Sequence, residues 1–251
     1  MASDHLALSI IFPAYNEAGG LHSALESARC YCEQERLDAE IIVVDDGSRD
    51  ETAAIAREFA QRHPIVRVLS HTPNRGKGYA VRQGMLAATG RYRLFLDVDL
   101  ATPVEEIPKL LDALDRGAGA ALGSRHLPAS QIEVKQRLLR RLMGSAFRGL
   151  ARLILRLPVT DFTCGFKAFR ASAAERLFAA LTEPGWAFDV ELILAAFRWG
   201  MQVEEVPVRW RDVAHSAVAP LSAALESLRA LLRIRSRDRK GLYDPPPDRG
   251  A

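Results

Sequence analysis

The chain has little of what would mark a specialised class of protein. Its 251 residues include three cysteines and no CxxC pair, which argues against a disulfide framework and favours reduced thiols in a cytosolic setting. No stretch approaches the roughly eighteen apolar residues of a membrane span, and the N-terminus lacks the basic start and apolar core of a signal peptide. The net charge of +3 gives no argument for nucleic acid as a partner.

What is present is the composition of an ordinary globular protein, with 48% hydrophobic and 26% charged residues. The length fits one large domain or two small ones. Apolar runs alternate with helical patterns, which predicts a parallel sheet with helices on both faces. The five predicted strands cover residues 6–12, 40–44, 65–69, 91–96 and 118–122.

The turns between these runs carry helix-start signals. Asn16 is expected to cap the helix after the first strand, and Ser48 or Asp50 is expected to cap the helix after the second. Gly47 permits a tight turn before that second helix. Pro103 is expected to open a later helix.

Polar residues follow four of the predicted strands. In parallel sheets, ligands bind beyond the carboxyl ends of the strands. Turn chemistry alone accounts for any one of these clusters, but four at the same edge of one sheet favour a binding site. They are Glu17, Asp45 with Asp46, Lys77, and Asp97 with Asp99.

Asp97 and Asp99 come directly after the apolar run that ends at Leu96. Residues at i and i+2 of a strand point to the same face, so the two carboxylates would lie roughly 6–7 Å apart along the strand. Like charges at that separation repel unless a cation lies between them. Oxygen ligands of this kind suit Mg²⁺ or Mn²⁺.

The glycine-rich stretch Asn74–Gly78 matches neither G-x-G-x-x-G nor G-x-x-x-x-G-K-[ST]. A dinucleotide-dependent dehydrogenase and a P-loop NTPase are therefore disfavoured. Lys77, at a predicted helix start, can still meet a phosphate.

The motifs of the first half, taken in order, resemble glycosyltransferase family 2. They are residues 12–17 (FPAYNE), 44–48 (VDDGS), 74–78 (NRGKG) and 97–99 (DVD). The resemblance implies a GT-A fold, with a Rossmann-like and mostly parallel sheet, and inverting transfer from a nucleotide sugar. It assigns the metal to Asp97 and Asp99, and it assigns nucleotide binding to Pro13, Ala14, Tyr15, Glu17, Asp45, Asp46, Lys77, Asp97 and Val98.

The second half begins with a basic, amphipathic segment. Residues 135–156 contain no acid, and five arginines recur there at helical spacing beside leucine and phenylalanine. Such a helix fits an anionic membrane interface, although a surface helix packed on the sheet with a solvated arginine face remains open. A nucleic-acid partner is the least favoured interpretation, because no group of aromatic residues on which bases could stack accompanies the arginines. Gly144 and Gly149 would bend or split the helix.

Residues 161–167 (DFTCGFK) resemble the D-x-x-C-G-F-K segment of polyprenyl-phosphate sugar synthases, particularly dolichyl-phosphate glucosyltransferases. Residues 186–192 and 203–210 continue that resemblance. Leu100–Pro103 lacks the glutamine usual in mannosyl-phosphate synthases, which favours the glucosyl branch. Ala217 stands where the family has a lysine, so phosphate recognition there is in doubt unless Arg209 or Arg211 substitutes.

The resemblance implies transfer of a hexose, most simply glucose, from a UDP-sugar to a polyprenyl or dolichyl phosphate. A phosphate monoester is already anionic at neutral pH, so the acceptor needs cations rather than a strong base. Arg125, Arg141 and Ser145 are the candidates for holding the phosphate. Asp161 is expected to orient the acceptor or a basic partner, and Asp97, Asp99, Arg125 and Asp161 form the predicted catalytic set.

Three alternatives stay open. The donor could be GDP-mannose or a UDP-N-acetylhexosamine, with the same lipid. A hydroxyl acceptor would require a general base, and Asp161 or Glu191 would become essential. The chain could instead be a non-catalytic module that binds a nucleotide sugar or a membrane.

The remaining expectations concern organisation and location. One domain is expected over residues 1–240, with a nucleotide-sugar half (6–124) and an acceptor half (125–240), followed by a flexible tail (241–251). A helix over 219–234, followed by an arginine run, gives either a second interfacial contact or a solvated helix end. The expected partners are a UDP-hexose, a polyprenyl phosphate and a membrane surface, at the cytoplasmic face of the cell membrane.

Overall fold

The computed structural model describes residues 6–134, 138–213 and 220–244, with side chains other than those of 138–143, 220–225 and 227. Strands and helices alternate in the first half as the sequence predicts. In chain order the elements are β1 (Leu8–Ala14), α1 (Leu21–Gln34), β2 (Ala39–Asp45), α2 (Thr52–Arg62), β3 (Val66–Ser70), α3 (Lys77–Ala87), β4 (Tyr92–Leu96), α4 (Ile107–Asp115), β5 (Ala120–Ser124), β6 (Gln131–Val134), α5 (Leu138–Leu155), β7 (Phe166–Arg170), α6 (Ala171–Ala180), α7 (Phe188–Arg198), β8 (Val203–Pro207), β9 (Arg209–Arg211) and α8 (Pro220–Arg239).

Seven strands form the central sheet in the order β3-β2-β1-β4-β7-β5-β8, and β6 pairs with β9 in a small second sheet. The sheet is parallel apart from β7, which runs antiparallel to both β4 and β5. This exception has a topological cause. The chain leaves the sheet at the carboxyl end of β5 and re-enters it at the same edge, where Phe166 pairs with Leu96 at the carboxyl end of β4. β7 therefore runs in the opposite direction to its neighbours.

The five predicted strands are confirmed with shifts of one or two residues at their ends. Their side chains pack into two hydrophobic cores, one on each face of the sheet, since successive strand residues point to opposite sides. On β1, Leu8, Ile10 and Phe12 belong to one core, and Ile11 belongs to the other. Burial on both faces explains the long apolar runs of β1 and β2, whereas β3, at the edge of the sheet, is buried only at Val66.

The expected capping role of Asn16 is wrong. The first helix begins at Leu21, and Asn16 has a positive φ of 56°. Its Oδ1 accepts a hydrogen bond from the Arg49 amide at 2.8 Å, and its own amide donates to Ser48 Oγ at 3.0 Å. Asn16 therefore joins the loops after β1 and β2. The N-cap residue of α2 is Glu51, so the expected capping by Ser48 or Asp50 is also wrong, although Asp50 accepts from the Thr52 amide at 3.0 Å.

The basic segment forms one helix, α5, that continues through both glycines, so the expected break at Gly144 or Gly149 is wrong. Ala151 and Leu155 are buried in the core that covers one face of the sheet, and α5 packs beside α8. Leu153 is left 76% exposed on the same helix. The helix is thus a surface helix that keeps part of its apolar side in solvent.

The C-terminal helix, α8, continues to Arg239, five residues beyond the predicted end. The expectation of flexibility is wrong at Tyr243, which is buried and donates its hydroxyl to Glu191 Oε1 at 2.6 Å. Of the helices described, none has the length and hydropathy needed to cross a bilayer.

Candidate active site

The carboxyl edge of the sheet brings the predicted acids together. Asp97 follows β4 directly, and the Leu100 amide donates to the Asp97 carbonyl at 3.1 Å, so the two aspartates lie on a turn rather than on a strand face. Leu100 has a positive φ of 45° in this turn. The expected strand spacing therefore does not apply, although the carboxylates still act on one another through their charges.

Glu17, Asp97 and Asp99 form an acidic cluster. Surrounding protein desolvates Asp99, and this together with the neighbouring Asp97 raises the pKa of Asp99. Burial also raises the pKa of Glu17, and the charges of Asp99 and Asp97 raise it further. The loop after β1 and the turn after β4 thus meet at one site, as the sequence predicts.

Lys77 is the cation beside this acidic cluster. It is the first residue of α3, and its Nζ lies 2.5 Å from Asp97 Oδ1. Burial alone would lower the pKa of Lys77, but Asp97 and then Asp189 outweigh it, so the pKa is raised. The ammonium also lies 5.0 Å from the centre of the Trp186 ring, and that indole is 54% exposed.

The acidic cluster suits a divalent cation that a substrate also ligates. Three carboxylates face one ammonium, and all the donors are hard oxygens. In the part of the chain that the structure describes, no three His, Cys, Asp or Glu side chains are arranged to hold a metal ion by themselves. Mg²⁺ in enzymes of phosphate chemistry commonly takes one or two carboxylates and completes its shell with substrate phosphate and water.

Gly165 leaves the space that the Asp97 carboxylate occupies. A Cβ built on Gly165 would lie 2.1 Å from Asp97 Oδ2. The cause is strand register, because the pairing of Leu96 with Phe166 sets the residues after β4 beside those before β7. The glycine of the CGFK segment is therefore required by the position of Asp97.

A second ion pair, Lys167–Asp189, lies behind Lys77 and was missed by sequence reasoning. Its atoms are 2.7 Å apart and both side chains are buried. Burial raises the pKa of Asp189, against the effect of Lys167 and Lys77. Lys167 also donates to the Cys164 carbonyl at 2.5 Å. The available signal was a lysine within an otherwise apolar strand and an aspartate at the start of an apolar helix.

Asp46 is saturated by hydrogen bonds from the loop after β3. Its carboxylate accepts from the Arg75 and Gly76 amides and from Asn74 Nδ2, each at 2.8 Å, and contacts His71 Nε2 at 2.6 Å. This buried carboxylate therefore sets the conformation of the loop that leads into Lys77.

The other predicted nucleotide residues lie around the same edge. Asp45, also buried, accepts from the Ser48 amide at 3.1 Å. Pro13 and Ala14 end β1, and Tyr15 beyond them has an exposed ring. The side chain of Val98 is buried, and Gly20 lies against it with room for an added Cβ 3.7 Å away.

Arg125 and Asp161 are brought together at the end of β5. The guanidinium binds the buried carboxylate through Nε–Oδ2 at 2.7 Å and Nη2–Oδ1 at 2.8 Å, and the Arg125 amide adds a third bond at 3.0 Å. Burial opposes ionisation of Asp161, but Arg125 outweighs it and holds the pKa of the carboxyl well below its usual range. Asp161 thus lies beside a basic partner, which is one of the two expectations for it, and its role in orienting the acceptor stays a prediction.

Glu205 on β8 anchors the loop that carries Asp161, and sequence reasoning missed it as well. Its carboxylate accepts from the Thr160 amide at 2.8 Å, the Thr160 hydroxyl at 2.5 Å and the Asp161 amide at 3.0 Å. It lies 44 residues from Asp161 along the chain, so only the sheet brings the two together.

The predicted phosphate residues of α5 are described in part. Ser145 Oγ accepts a hydrogen bond from Arg148 Nη2 at 2.9 Å, and the Arg141 side chain lies outside the described residues. Burial lowers the pKa of Arg148, with Asp161 acting in the opposite direction and Arg125 adding to the decrease. Arg148 pairs with no carboxylate in the described part of the chain.

The loop expected to replace the missing family lysine is also described only in part. Ala217 lies outside the described residues. Arg209 is engaged by Glu106, with Nε–Oε1 at 2.7 Å. Arg211 is exposed, and its amide donates to the Ala101 carbonyl at 2.9 Å.

Comparison with known proteins identifies the family of this chain. The model of the family "Glycosyl transferase family 2" matches residues 9–178. A dolichyl-phosphate beta-glucosyltransferase of Drosophila melanogaster is 39% identical over 92% of this chain and 75% of its own length. The protein of the same name from Homo sapiens is 35% identical over 94% of this chain and 77% of its own.

Solved structures with the same fold include glucosyl-3-phosphoglycerate synthase from Mycobacterium tuberculosis. Its complex with Mn²⁺, UDP and glucosyl-3-phosphoglycerate superposes with a TM-score of 0.67 at 23% identity, covering 98% of this chain and 83% of that one. The complex with Mn²⁺ and UDP-glucose gives a TM-score of 0.68 at 20% identity, covering 98% of this chain and 82% of that one. The predicted GT-A fold is confirmed.

Proposed function

The chain belongs to glycosyltransferase family 2 and is a glycosyltransferase, and from this premise we propose that it transfers glucose from UDP-glucose to a dolichyl or related polyprenyl phosphate, with inversion. The observation that carries the substrate class is the similarity to dolichyl-phosphate beta-glucosyltransferases along more than nine-tenths of this chain. The arrangement of charges at the two ends of the site agrees with it.

The acidic cluster is the donor end. Asp97 and Asp99 would hold Mg²⁺ or Mn²⁺, and the ion would offset the charge that develops on the departing nucleotide diphosphate. Lys77, at the N-terminus of α3, adds a cation where a diphosphate benefits from the helix dipole. The acidic cluster alone would repel a nucleotide, which is why a bound cation is part of the proposal.

The residues around β1 and β2 would hold the rest of the nucleotide. Pro13, Ala14, Tyr15 and Glu17 are proposed to line the base and ribose, with the backbone at Val98 closing the pocket. Asp45 and Asp46 would act by fixing their own loops, because their carboxylates are already bonded to backbone amides. Asp46 in particular would fix the loop that leads into Lys77, and so the position from which Lys77 meets the diphosphate.

The acceptor end is proposed to be basic and to work without a general base. In the inverting step, an acceptor phosphate oxygen forms a bond to the anomeric carbon as the bond from that carbon to UDP breaks. Asp161 is a poor proton acceptor because Arg125 holds both of its oxygens. Glu191 is buried and already accepts from Thr182, Glu183 and Tyr243. Neither fits the base that a hydroxyl acceptor would require.

Arg148 is proposed to join Arg125, Arg141 and Ser145 at the acceptor phosphate. Asp161 already neutralises Arg125. Arg148 is half-buried and has a serine hydroxyl rather than a carboxylate as its partner. A desolvated guanidinium without a counter-ion is stabilised by binding an anion.

A peripheral position at the cytoplasmic face of the cell membrane is proposed for the enzyme. The apolar side chains that α5 and α8 leave exposed support it, since Leu153, Leu228 and Leu232 lie on two helices that pack together. Arginines flank them, which suits anionic lipid headgroups. We propose no nucleic-acid partner.

The division into a nucleotide-sugar half (6–124) and an acceptor half (125–240) is kept as a proposal. The donor residues precede Arg125, and the acceptor candidates begin with it. Both halves share one sheet, because β7 and β8 are strands of it, so we propose a single folding unit.

One transfer assay tests the proposal. The protein is incubated with labelled UDP-glucose, GDP-mannose or UDP-N-acetylglucosamine, with Mg²⁺ or Mn²⁺, and with a short polyprenyl phosphate or the matching alcohol. We expect label from UDP-glucose to enter the lipid phase with the phosphate only, as a β-linked product. Transfer to the alcohol, or preference for another donor, would refute the acceptor or the donor respectively.

A further inference from the structure

The segment 182–186 lies between the C-terminal helix and the turn that presents Lys77. On its Lys77 side the contact is made by backbone atoms. The Tyr79 amide donates to the Pro184 carbonyl at 3.1 Å. A Cβ built on Gly76 would lie 2.5 Å from the Pro184 oxygen, and one on Gly78 would lie 2.6 Å from the Glu183 oxygen. The turn and the segment therefore touch so closely that neither can move alone.

The same segment carries the aromatic neighbour of Lys77. The ring of Trp186 lies 5.0 Å from Lys77 Nζ, and Trp186 also lines a small cavity together with Ala230 and Arg233 of α8. A shift of this segment would thus move the Tyr79 hydrogen bond and the indole together. The hydrogen bond is made two residues after Lys77 in α3, and the indole borders the ammonium that pairs with Asp97.

Glu183 fixes the segment to α8. Its carboxylate is 3% exposed and receives Arg233 Nη2 at 2.8 Å, Arg233 Nε at 3.1 Å and Arg237 Nη1 at 2.7 Å. The Thr182 and Glu183 amides donate to Glu191 at 2.9 and 2.6 Å. The arginine run of α8 is therefore used in part for internal ion pairs.

We propose that Glu183 is a positioning residue for the nucleotide-sugar site, through which α8 fixes the segment 182–186 and thereby the location of Lys77. The proposal rests on the proposed function, in which Lys77 meets the diphosphate. It gives the C-terminal helix a role in donor binding although none of the helix side chains that the structure describes is seen to contact the acidic cluster. Glu183 itself touches neither donor nor acceptor in this scheme.

Asp238 provides a matched control. It lies on α8 itself, its side chain is 4% exposed, and it is bound by two arginines, Arg198 at 2.7 and 2.8 Å and Arg235 at 2.8 Å. It does not contact the segment 182–186. Glu183→Gln and Asp238→Asn thus remove equally buried, doubly paired charges that differ in what they hold.

The test compares the unmodified protein with these two variants in three measurements: thermal midpoint, Kd for UDP with Mn²⁺, and hydrogen exchange of the peptide covering residues 76–80. We expect similar losses of thermal stability in both variants. Only Glu183→Gln should accelerate exchange at 76–80 and raise the Kd, by about tenfold, since a displaced Lys77 would lose part of its charge-assisted hydrogen bond to the diphosphate.

Equal behaviour of the two variants in exchange and in Kd would overturn the positioning role and leave Glu183 a purely structural residue. If Glu183→Gln does not fold, Arg233→Gln removes only one partner of the carboxylate and should move both measurements in the same direction by a smaller factor. Unchanged values in that variant would also overturn the proposal. Failure of the unmodified protein to bind UDP would refute the proposed donor, while exchange at 76–80 would still decide the role of Glu183.

Discussion

Arg125 and Asp161 form a two-pronged ion pair in which a buried carboxylate is held by the guanidinium and by the amide of the same arginine. The pair spans 36 residues of sequence and ties the end of β5 to the DFTCGFK segment. Because Arg125 satisfies both carboxylate oxygens, Asp161 serves as an anchor for an arginine. A carboxylate held in this way is a poor general base. A hydroxyl acceptor would require such a base, whereas a phosphate acceptor would not.

The first prediction concerns the pH dependence of this pair. Asp161→Asn should lower the free energy of unfolding by about 3–5 kcal/mol at neutral pH, because it leaves a largely buried guanidinium without its partner. The folded-state pKa of Asp161 lies below its unfolded value, so the stabilisation is present above about pH 4 and is lost as pH falls towards the folded-state pKa.

Urea unfolding of both proteins between about pH 2 and 8 measures this difference. The difference in the free energy of unfolding between the two proteins should be constant above about pH 5 and should become smaller in acid. A gap that widened in acid would contradict the assigned direction of the pKa shift.

The second prediction concerns the proposed metal ligands. Asp97→Asn should abolish both transfer and Mn²⁺-dependent binding of UDP, since the acidic cluster would lose its central charge. Asp112→Asn, at an exposed position of α4, is the control for loss of one negative charge. Calorimetric titration of UDP with and without Mn²⁺ gives the answer, and metal-dependent binding that survived in Asp97→Asn would rule out the role given to this residue.

The third prediction uses the space at Gly165. Gly165→Ala should displace the Asp97 carboxylate and reduce activity by a factor of about 10–100, since small misplacements at a reacting centre have effects of this size. Gly149→Ala is the control: an added Cβ there meets no atom within 4 Å, and the change should stabilise α5 by about 0.5–1 kcal/mol.

Initial rates and thermal midpoints of the two glycine variants are to be compared with those of the unmodified protein. Normal activity in Gly165→Ala would mean that Asp97 tolerates a different position.

The fourth prediction concerns the role of Arg148 in binding the acceptor, in comparison with another arginine near it. Arg148→Gln should raise the KM for the polyprenyl phosphate about ten- to a hundredfold, which corresponds to the loss of a charge-assisted hydrogen bond of about 1.5–3 kcal/mol. The Kd for UDP should be unchanged. Arg156→Gln, exposed just after α5, removes the same charge and should change neither constant.

Steady-state kinetics with varied acceptor at saturating UDP-glucose measure the effect of Arg148. Arg148→Lys should restore part of the acceptor affinity because it keeps the charge. A lower kcat with an unaltered acceptor KM would place Arg148 outside the acceptor site.

The donor half could be predicted closely from the sequence because each of its polar residues follows an apolar strand. Once the strands are recognised, Glu17, Asp46, Lys77 and Asp97 must gather at one edge of the sheet. The spacing argument for Asp97 and Asp99 failed because the strand ends at Leu96 and a turn begins. Strand ends are set by the pairing of neighbours, which a single run of residues does not reveal.

The acceptor half was predicted less completely because its charges are paired over long distances in sequence. Glu205, Asp189 and Glu183 are ordinary acids in the printed sequence. Each becomes informative only when a partner 22 to 54 residues away is brought beside it. The antiparallel insertion of β7 had no local signal either, since its strand pattern is the same in either direction.

Local sequence patterns were sufficient to identify the family, the first five strands with the helices between them, and the set of acids that gather at the carboxyl edge of the sheet, whereas β6 to β9 were not predicted. These follow from patterns a few residues long, where side-chain period and turn chemistry act locally. Which charges are neutralised follows only from the folded chain, in which Asp161 is bound to Arg125, Glu183 is bound to α8 and Arg148 lies beside a serine. Electrostatic pairing depends on distance in space, and the fold sets that distance.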